Sequence, residues 1–151
     1  MINTRSSEGV ELKKDFLEHL EKIQQLTDSI EQQAGKIHDY HRQKLTKKLE
    51  RLREEGAVDE NRLAQEILHY IDRAEIAEEI TRLRSHISHF GQELNGSESG
   101  VVGRRLDFIA QEMGREMNTI LSKSPFAELS EAALEGKTEI EKIREQVQNV
   151  E

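Results

Sequence analysis

Apolar residues recur along this chain at intervals of three and four, the spacing that keeps side chains on one face of an α-helix. Phe16, Leu20, Ile23, Leu26, Ile30, Ala34 and Ile37 begin the series, and Leu45, Leu49 and Leu52 extend it. The pattern predicts one helix from about Ser7 to Glu55, roughly 70 Å long at a rise of about 1.5 Å per residue. Gly56 suits the C-terminal cap of that helix and Asp59 the N-cap of the next. So short a link forces an antiparallel hairpin. A second helix is expected from about Glu60 to Leu94, with Leu63, Ile67, Tyr70, Ala74, Ala77, Ile80, Leu83, Ile87, Phe90 and Leu94 along its seam.

The stretch from Asn95 to Gly100 is rich in Gly and Ser and reads as a mobile loop. A third helix, from about Val102 to Ser122, carries Leu106, Ile109, Ala110, Met113, Met117, Ile120 and Leu121 on one side, with the methionines as core filler. Ser124-Pro125 then opens a fourth, Ser as N-cap and Pro at the first helical position. In that last helix Phe126, Leu129, Ala133, Gly136, Ile140, Ile143, Val147 and Val150 alternate steps of three and four, a coiled-coil-like seam. The expected fold is therefore all-α: an elongated bundle of about four helices, a long antiparallel hairpin followed by two shorter helices. Residues 1–58 form the first arm of the hairpin, and residues 59–151 a C-terminal helical domain.

Composition sharpens this picture. Only 34% of the 151 residues are apolar and 4% aromatic, while 34% are charged, which fits thin apolar seams on long rods better than a deep globular core. The absence of Cys excludes disulfides, thiolate metal sites and a cysteine nucleophile, and fits a reducing cytoplasm. No apolar run approaches the length needed to span a bilayer, so no membrane partner is expected. The net charge of −8 opposes binding to a polyanion unless basic residues cluster. They cluster once, as Arg42, Lys44, Lys47, Lys48, Arg51 and Arg53 against the single acid Glu50. This run is either a solvated helix face or a track for a nucleic-acid backbone.

Two polar stripes carry the candidate chemistry. At about 100° per residue, Glu75, Glu79, Arg82 and His86 fall within a sector of roughly 60° on the second helix. Carboxylate and imidazole are metal ligands and guanidinium grips phosphate in a fork, so this ridge can serve a divalent cation and a phosphate. It can equally be a ladder of ion pairs on a wet surface. On the third helix Arg104, Asp107, Gln111, Arg115, Asn118 and Ser122 share a sector of roughly 80°, flanked by Glu112, Glu116, Thr119 and Lys123. A register-fixing hydrogen-bond network is the structural alternative there. The other histidines, His19, His38, His41, His69 and His89, carry less weight.

The run from Gly103 to Met113, continuing through Arg115-Glu116-Met117-Asn118-Thr119 and Ser122-Lys123, closely resembles the C-terminal motif of the YicC/YloC family of bacterial endoribonucleases. Asp72 to Glu79 with Arg82, Leu83 and His86 resembles that family's preceding helix, and Ile143 to Glu151 its C-terminus. Arg5, Glu8-Gly9 and Leu12 look like the start of its long central helix. The resemblance implies an RNA endonuclease that depends on a divalent metal (Mg²⁺ or Mn²⁺), assembles as a hexamer and carries a further N-terminal domain.

Under that resemblance both stripes are expected to face one polar cleft. Glu79, Arg82, His86, Asp107, Gln111 and Arg115 are the expected catalytic residues, and Glu75, Glu79, His86, Glu112 and Glu116 the expected metal ligands. Arg42, Lys44, Lys47, Lys48, Arg51, Arg104, Asn118 and Lys123 are expected to hold RNA. Cleavage would proceed by hydrolysis or by attack of the 2′-hydroxyl. The rival expectation is a non-catalytic module for oligomerisation and RNA binding.

Overall fold

The computed structural model describes residues 2–56, 59–96 and 101–150 of the chain. All regular structure among them is α-helical: α1 (Ile2–Gln32), α2 (Ala34–Glu54), α3 (Glu60–Ala74), α4 (Ala77–Asn95), α5 (Val101–Lys123) and α6 (Ala127–Val150). The all-α expectation holds, with two long rods followed by two shorter helices. Each long rod is bent rather than continuous. The first bends at Gln33, whose N–H donates to the Ile30 carbonyl at 3.0 Å in a turn tighter than the α-helix. The second bends at Glu75, which is extended at φ −120 and ψ 131.

The hydrophobic step of three and four survives across both bends, so periodicity alone predicts unbroken helices. The two breaks share one place in the fold. They lie side by side, with Ala34, Gly35, His38, Glu75, Ile76 and Ala77 lining one shallow cavity. The second break turns Ile76, which the predicted seam omits, into a core residue only 1% exposed.

Helices α1, α4, α5 and α6 form an up-down-up-down bundle in which α5 packs between α4 and α6, and α1 closes the ring against both. Helices α2 and α3 pair with each other and continue past the bundle as a two-helix arm. The bundle interior holds Ile23, Ile30, Leu83, Phe90, Met113, Met117, Ile120, Leu129, Ile140 and Ile143, all fully buried. Phe16 meets Phe90 edge to face at 5.7 Å. Each such side chain contributes about 1.5–3 kcal/mol by leaving water. The arm has far less, with Ile37, Leu52 and Ala74 its only buried apolar residues among those described. Ile67, Leu68 and Ile71 of α3 face solvent.

The hairpin caps form as expected. Gly56 sits at φ +76, the left-handed conformation that ends a helix, and Asp59 accepts a hydrogen bond from the Asn61 N–H at 3.1 Å. The loop expected at 95–100 begins inside α4, since Asn95 is helical, and its residues 97–100 lie outside the described residues. The start of α6 differs from expectation. Ser124 donates its hydroxyl to the Phe126 carbonyl, and it is Phe126 whose carbonyl accepts the first helical bond, from Ser130. Pro125 therefore precedes the helix instead of occupying its first position. The Phe126 ring packs edge to face on Tyr40 at 5.5 Å, which fixes where the helix can begin.

The expected seam of α6 is buried through Leu129, Ala133, Gly136, Ile140, Ile143 and Val147. At its middle the two backbones approach over Met117, and a Cβ built on Gly136 would stand 2.6 Å from the Met117 Cε. On the flank of this seam, Glu139 is buried against α1. It accepts a hydrogen bond from His19 Nδ1 at 2.6 Å and one from Lys142 at 3.2 Å. His19 thus has a structural role that spacing does not reveal. Burial pushes the Glu139 carboxyl up, but the His19 and Lys142 bonds, aided by the Lys142 and Lys22 charges, hold it below its ordinary 4.5.

Two outcomes follow from these seams. Gly136→Val should destabilise by about 1–3 kcal/mol through overpacking on Met117, lowering the Tm by roughly 2–4 °C per kcal/mol; an unchanged melting curve would show that the seam can widen freely. A carboxyl held low in the folded state adds stability that is complete above its ordinary value and is lost as the pH falls through the folded one. Acid unfolding should therefore steepen below pH 4.5, and Glu139→Gln should flatten that limb of a stability-against-pH series.

Candidate active site at the α4–α5 seam

Antiparallel packing sets the first turn of α4 against the last turn of α5. Glu78 and Glu79 open α4, where the helix dipole favours acids, and Lys123 closes α5, where it favours cations. The charges meet in one cluster. Lys123 Nζ donates to Glu79 Oε1 at 2.9 Å and to the Glu75 carbonyl at 2.8 Å. One turn along, Arg82 Nε donates to Glu116 Oε1 at 2.9 Å while its Nη1 reaches Glu78 Oε2 at 3.3 Å. Arg82 Nη2 lies 3.7 Å from Glu79 Oε1, so the guanidinium joins the two acids. Its hydrogen bond and charge interaction with Glu116 raise the Arg82 pKa further above its ordinary value.

Glu79 and Glu116 are 5% and 6% exposed. Carboxylates so buried normally have every oxygen satisfied, yet Glu79 Oε2 has no hydrogen-bond partner among the described residues. Arg105 pairs with Glu93 at 3.7 Å at the far end of the same seam. This register sets His86, half-buried, opposite Glu112, which pairs with Arg115 at 3.6 Å.

The expectation of one cleft lined by both stripes requires correction. Only the flank of the α5 stripe, Glu112, Glu116 and Lys123, faces α4. Asp107, Gln111, Arg115 and Asn118 lie around the helix on the side toward α6. There Arg144 Nε donates to Asp107 Oδ1 at 3.2 Å, Gln111 donates to Asp107 Oδ2 at 2.9 Å, and the Arg144 Nη1 reaches Glu141 at 3.3 Å. Gln111, Arg115 and Asn118 line an open groove with Lys137, Glu141 and Arg144. Asp107 raises the Arg144 pKa through its hydrogen bond. The core of α5 occupies the inner arc between the two polar surfaces, so they do not share one cleft and touch only around the outer arc, where Arg115 pairs with Glu112. Arg104 is exposed on the outer side.

Glu75 also leaves the predicted line. The break makes it an extended residue, so the helical arithmetic that grouped it with Glu79 no longer applies, and its carbonyl joins the cluster while its side chain is exposed. Among the described residues no group of three or more His, Asp or Glu side chains stands close enough to hold a metal ion. Of the expected RNA contacts, Arg42, Lys44, Lys47 and Arg51 are exposed on α2, and Lys48 pairs with Glu66 at 3.0 Å. Lys123 is taken up inside the cluster. Spacing within α4 allows the i,i+4 pair that makes Glu78 the third acid on Arg82, a signal the stripe left out. Spacing within one helix could not reveal Arg144 as the partner of Asp107, because that partnership crosses helices.

An all-helical bundle in which a half-exposed guanidinium and an ammonium hold two buried carboxylates between two helices is thus the class of protein that fold and site define. The family described as "Endoribonuclease YicC-like, C-terminal" matches residues 30–151, and the chain belongs to it. Two relatives support the assignment, both called "Probable endoribonuclease YicC". The Clostridioides difficile protein is 39% identical over 148 residues, covering 97% of this chain and 50% of the relative. The Haemophilus influenzae protein is 35% identical over 150 residues, covering 99% of this chain and 51% of the relative. The chain spans about half the length of these curated relatives.

Removing the ammonium from the cluster should leave the Glu79 carboxylate buried without its strong donor. Lys123→Met is expected to cost about 1–3 kcal/mol in urea unfolding, against about 0.5 kcal/mol or less for Lys47→Met on the exposed face of α2. Equal effects would show that the cluster carries no stabilising energy.

Proposed function

We propose that this chain is the C-terminal helical domain of an endoribonuclease and that the α4–α5 cluster cleaves RNA phosphodiester bonds. The observation that carries the reading is the Glu79 carboxylate, buried with one oxygen unpartnered inside a cluster of opposite charges, in a chain of an endoribonuclease family. Structural ion pairs seldom leave such an atom unsatisfied, whereas reaction sites do.

The two buried carboxylates would form a small ligand set for a divalent cation. Mg²⁺ takes one or two protein carboxylates and completes its shell with water and substrate phosphate, so Glu79 and Glu116 would hold it without Glu75, His86 or Glu112. Bound there, the cation would supply charge stabilisation for the phosphate under attack. The chain's own groups do the rest. Arg82, with half of its side chain in solvent, offers its guanidinium fork to a phosphate oxygen. His86 is the one imidazole on this ridge and would move the proton of the attacking or leaving oxygen. Gln111, Arg115 and Asn118 on the α6 side, with Arg104, would contact the strand outside the reacting bond.

The second reading is an assembly and RNA-binding module whose nuclease lies in the other half of the protein. The solvent-facing Ile67, Leu68 and Ile71, neighbours on one helix, α3, favour it, since an exposed apolar patch of this kind marks protein contacts. A homo-oligomer, a hexamer by family resemblance, is compatible with both readings.

Incubation of the chain with a structured RNA and Mg²⁺ or Mn²⁺ separates the two. Internal cleavage is expected, slowed about a hundredfold or more by Glu79→Gln and by His86→Gln. Intact RNA, alongside cleavage by a full-length relative, would overturn the catalytic reading in favour of the module.

A further inference from the structure

A second concentration of charge lies between α2 and α3, where the arm joins the bundle. His41, Lys44 and Lys48 from α2 face His69, Tyr70 and Arg73 from α3 around a cavity of about 100 Å³. Glu66 is the one acid in its lining, and it is neutralised by Lys48 at 3.0 Å. That leaves Lys44 and Arg73 without a carboxylate in the pocket, in a chain whose net charge is −8. Their other contacts do not compensate them. Arg73 Nη1 donates to the Ser122 carbonyl at 3.1 Å, and Lys44 Nζ lies 5.7 Å from the centre of the Tyr40 ring.

We infer that this cavity is an oxyanion pocket that seats one phosphate group of an RNA strand, resting on the ribonuclease reading only for the identity of the strand. The cavity holds a tetrahedral anion and is too small for a nucleotide. It offers three kinds of donor, ammonium, guanidinium and imidazole, from two helices, which is the convergent arrangement that charge-assisted phosphate binding needs. Its own electrostatics point the same way. Burial lowers the His41 pKa, the hydrogen bond to the Lys123 carbonyl works against that, and the charges of Lys44, Arg73 and His69 lower it further. An imidazole surrounded by so much positive potential recovers its proton when an anion enters.

The pocket is tied directly to the α4–α5 cluster. The Lys123 carbonyl accepts from His41 Nε2 at 3.3 Å, and the ammonium of the same residue binds Glu79 at 2.9 Å. A phosphate in the pocket would set a neighbouring phosphodiester toward the carboxylates, so the pocket acts as a positioning subsite.

Binding without cleavage tests this independently of the nuclease reading, with EDTA present throughout. Inorganic phosphate should shift the ring resonances of His41 and His69 in NMR spectra, and its binding should move the lowered His41 titration back up toward the ordinary imidazole range. The groups facing His41 in that titration are Lys44 on α2, His69 and Arg73 on α3, and the Lys123 carbonyl on α5. Phosphate should also displace a single-stranded oligoribonucleotide. Lys44→Gln combined with His69→Gln should weaken RNA binding about tenfold, the loss of one charge-assisted hydrogen bond, and reduce the salt slope by about 0.7. Lys36→Gln, exposed outside the pocket, should change neither, and far-UV circular dichroism checks that each variant folds. Comparing 5′-phosphorylated with 5′-hydroxyl strands distinguishes a terminal from an internal phosphate as the occupant. Histidine resonances unmoved by phosphate would overturn the pocket, and RNA affinity unchanged in the double variant would overturn its assignment to the strand.

Discussion

Helix α5 is gripped on both sides, by α4 along one face and by α6 along another, and the rest of the molecule is arranged around that constraint. Two packed faces leave a helix only the narrow edges between them for polar work. One edge carries Glu112, Glu116 and Lys123 and completes a site with α4. The other carries Asp107, Gln111, Arg115 and Asn118 and opens onto α6. Met113 and Met117, both wholly buried, fill the core-facing arc between these edges, and Gly136 is the concession that α6 makes so that Met117 can fit.

Helix number and order are legible in the sequence because burial here is one-dimensional. A seam that recurs every three or four residues has a single geometric meaning, and the Gly56 and Asp59 caps mark the turn unambiguously. The two bends are not legible, because the hydrophobic step runs through Gln33 and Glu75 without a slip and neither residue is a helix breaker. The same holds at the start of α6, where a cross-helix contact between Phe126 and Tyr40 overrides a good local capping signal. The candidate site is legible only in part. Periodicity places Glu79, Arg82 and Glu116 on the correct faces, but it cannot tell which edge of α5 meets α4, nor that His19 and Glu139 find each other across 120 positions of sequence.

Charge in this chain is distributed by function of place. The bundle neutralises itself through pairs such as Arg82–Glu116 and Arg144–Asp107, each joining two helices. Such contacts specify which helix lies beside which more than they add to stability, because burial of ions carries its own desolvation cost. Helix α2 is different, because its Lys and Arg outnumber its acids, whereas the acids of α3 and of the turn bring the arm as a whole close to neutral. A polyanion would be attracted to the basic run of α2 and not to the arm as a whole.

The scarcity of core in the α2–α3 arm has a thermodynamic consequence. With Ile37, Leu52 and Ala74 as its buried apolar residues, the arm has little to hold its backbone closed, so it opens at a lower free energy than the bundle that anchors it. Amide protons along α2 and α3 then exchange through local fraying while those of α5 await cooperative unfolding. A limb that loose can settle onto an irregular strand and let go of it again, while the body it grows from keeps its shape.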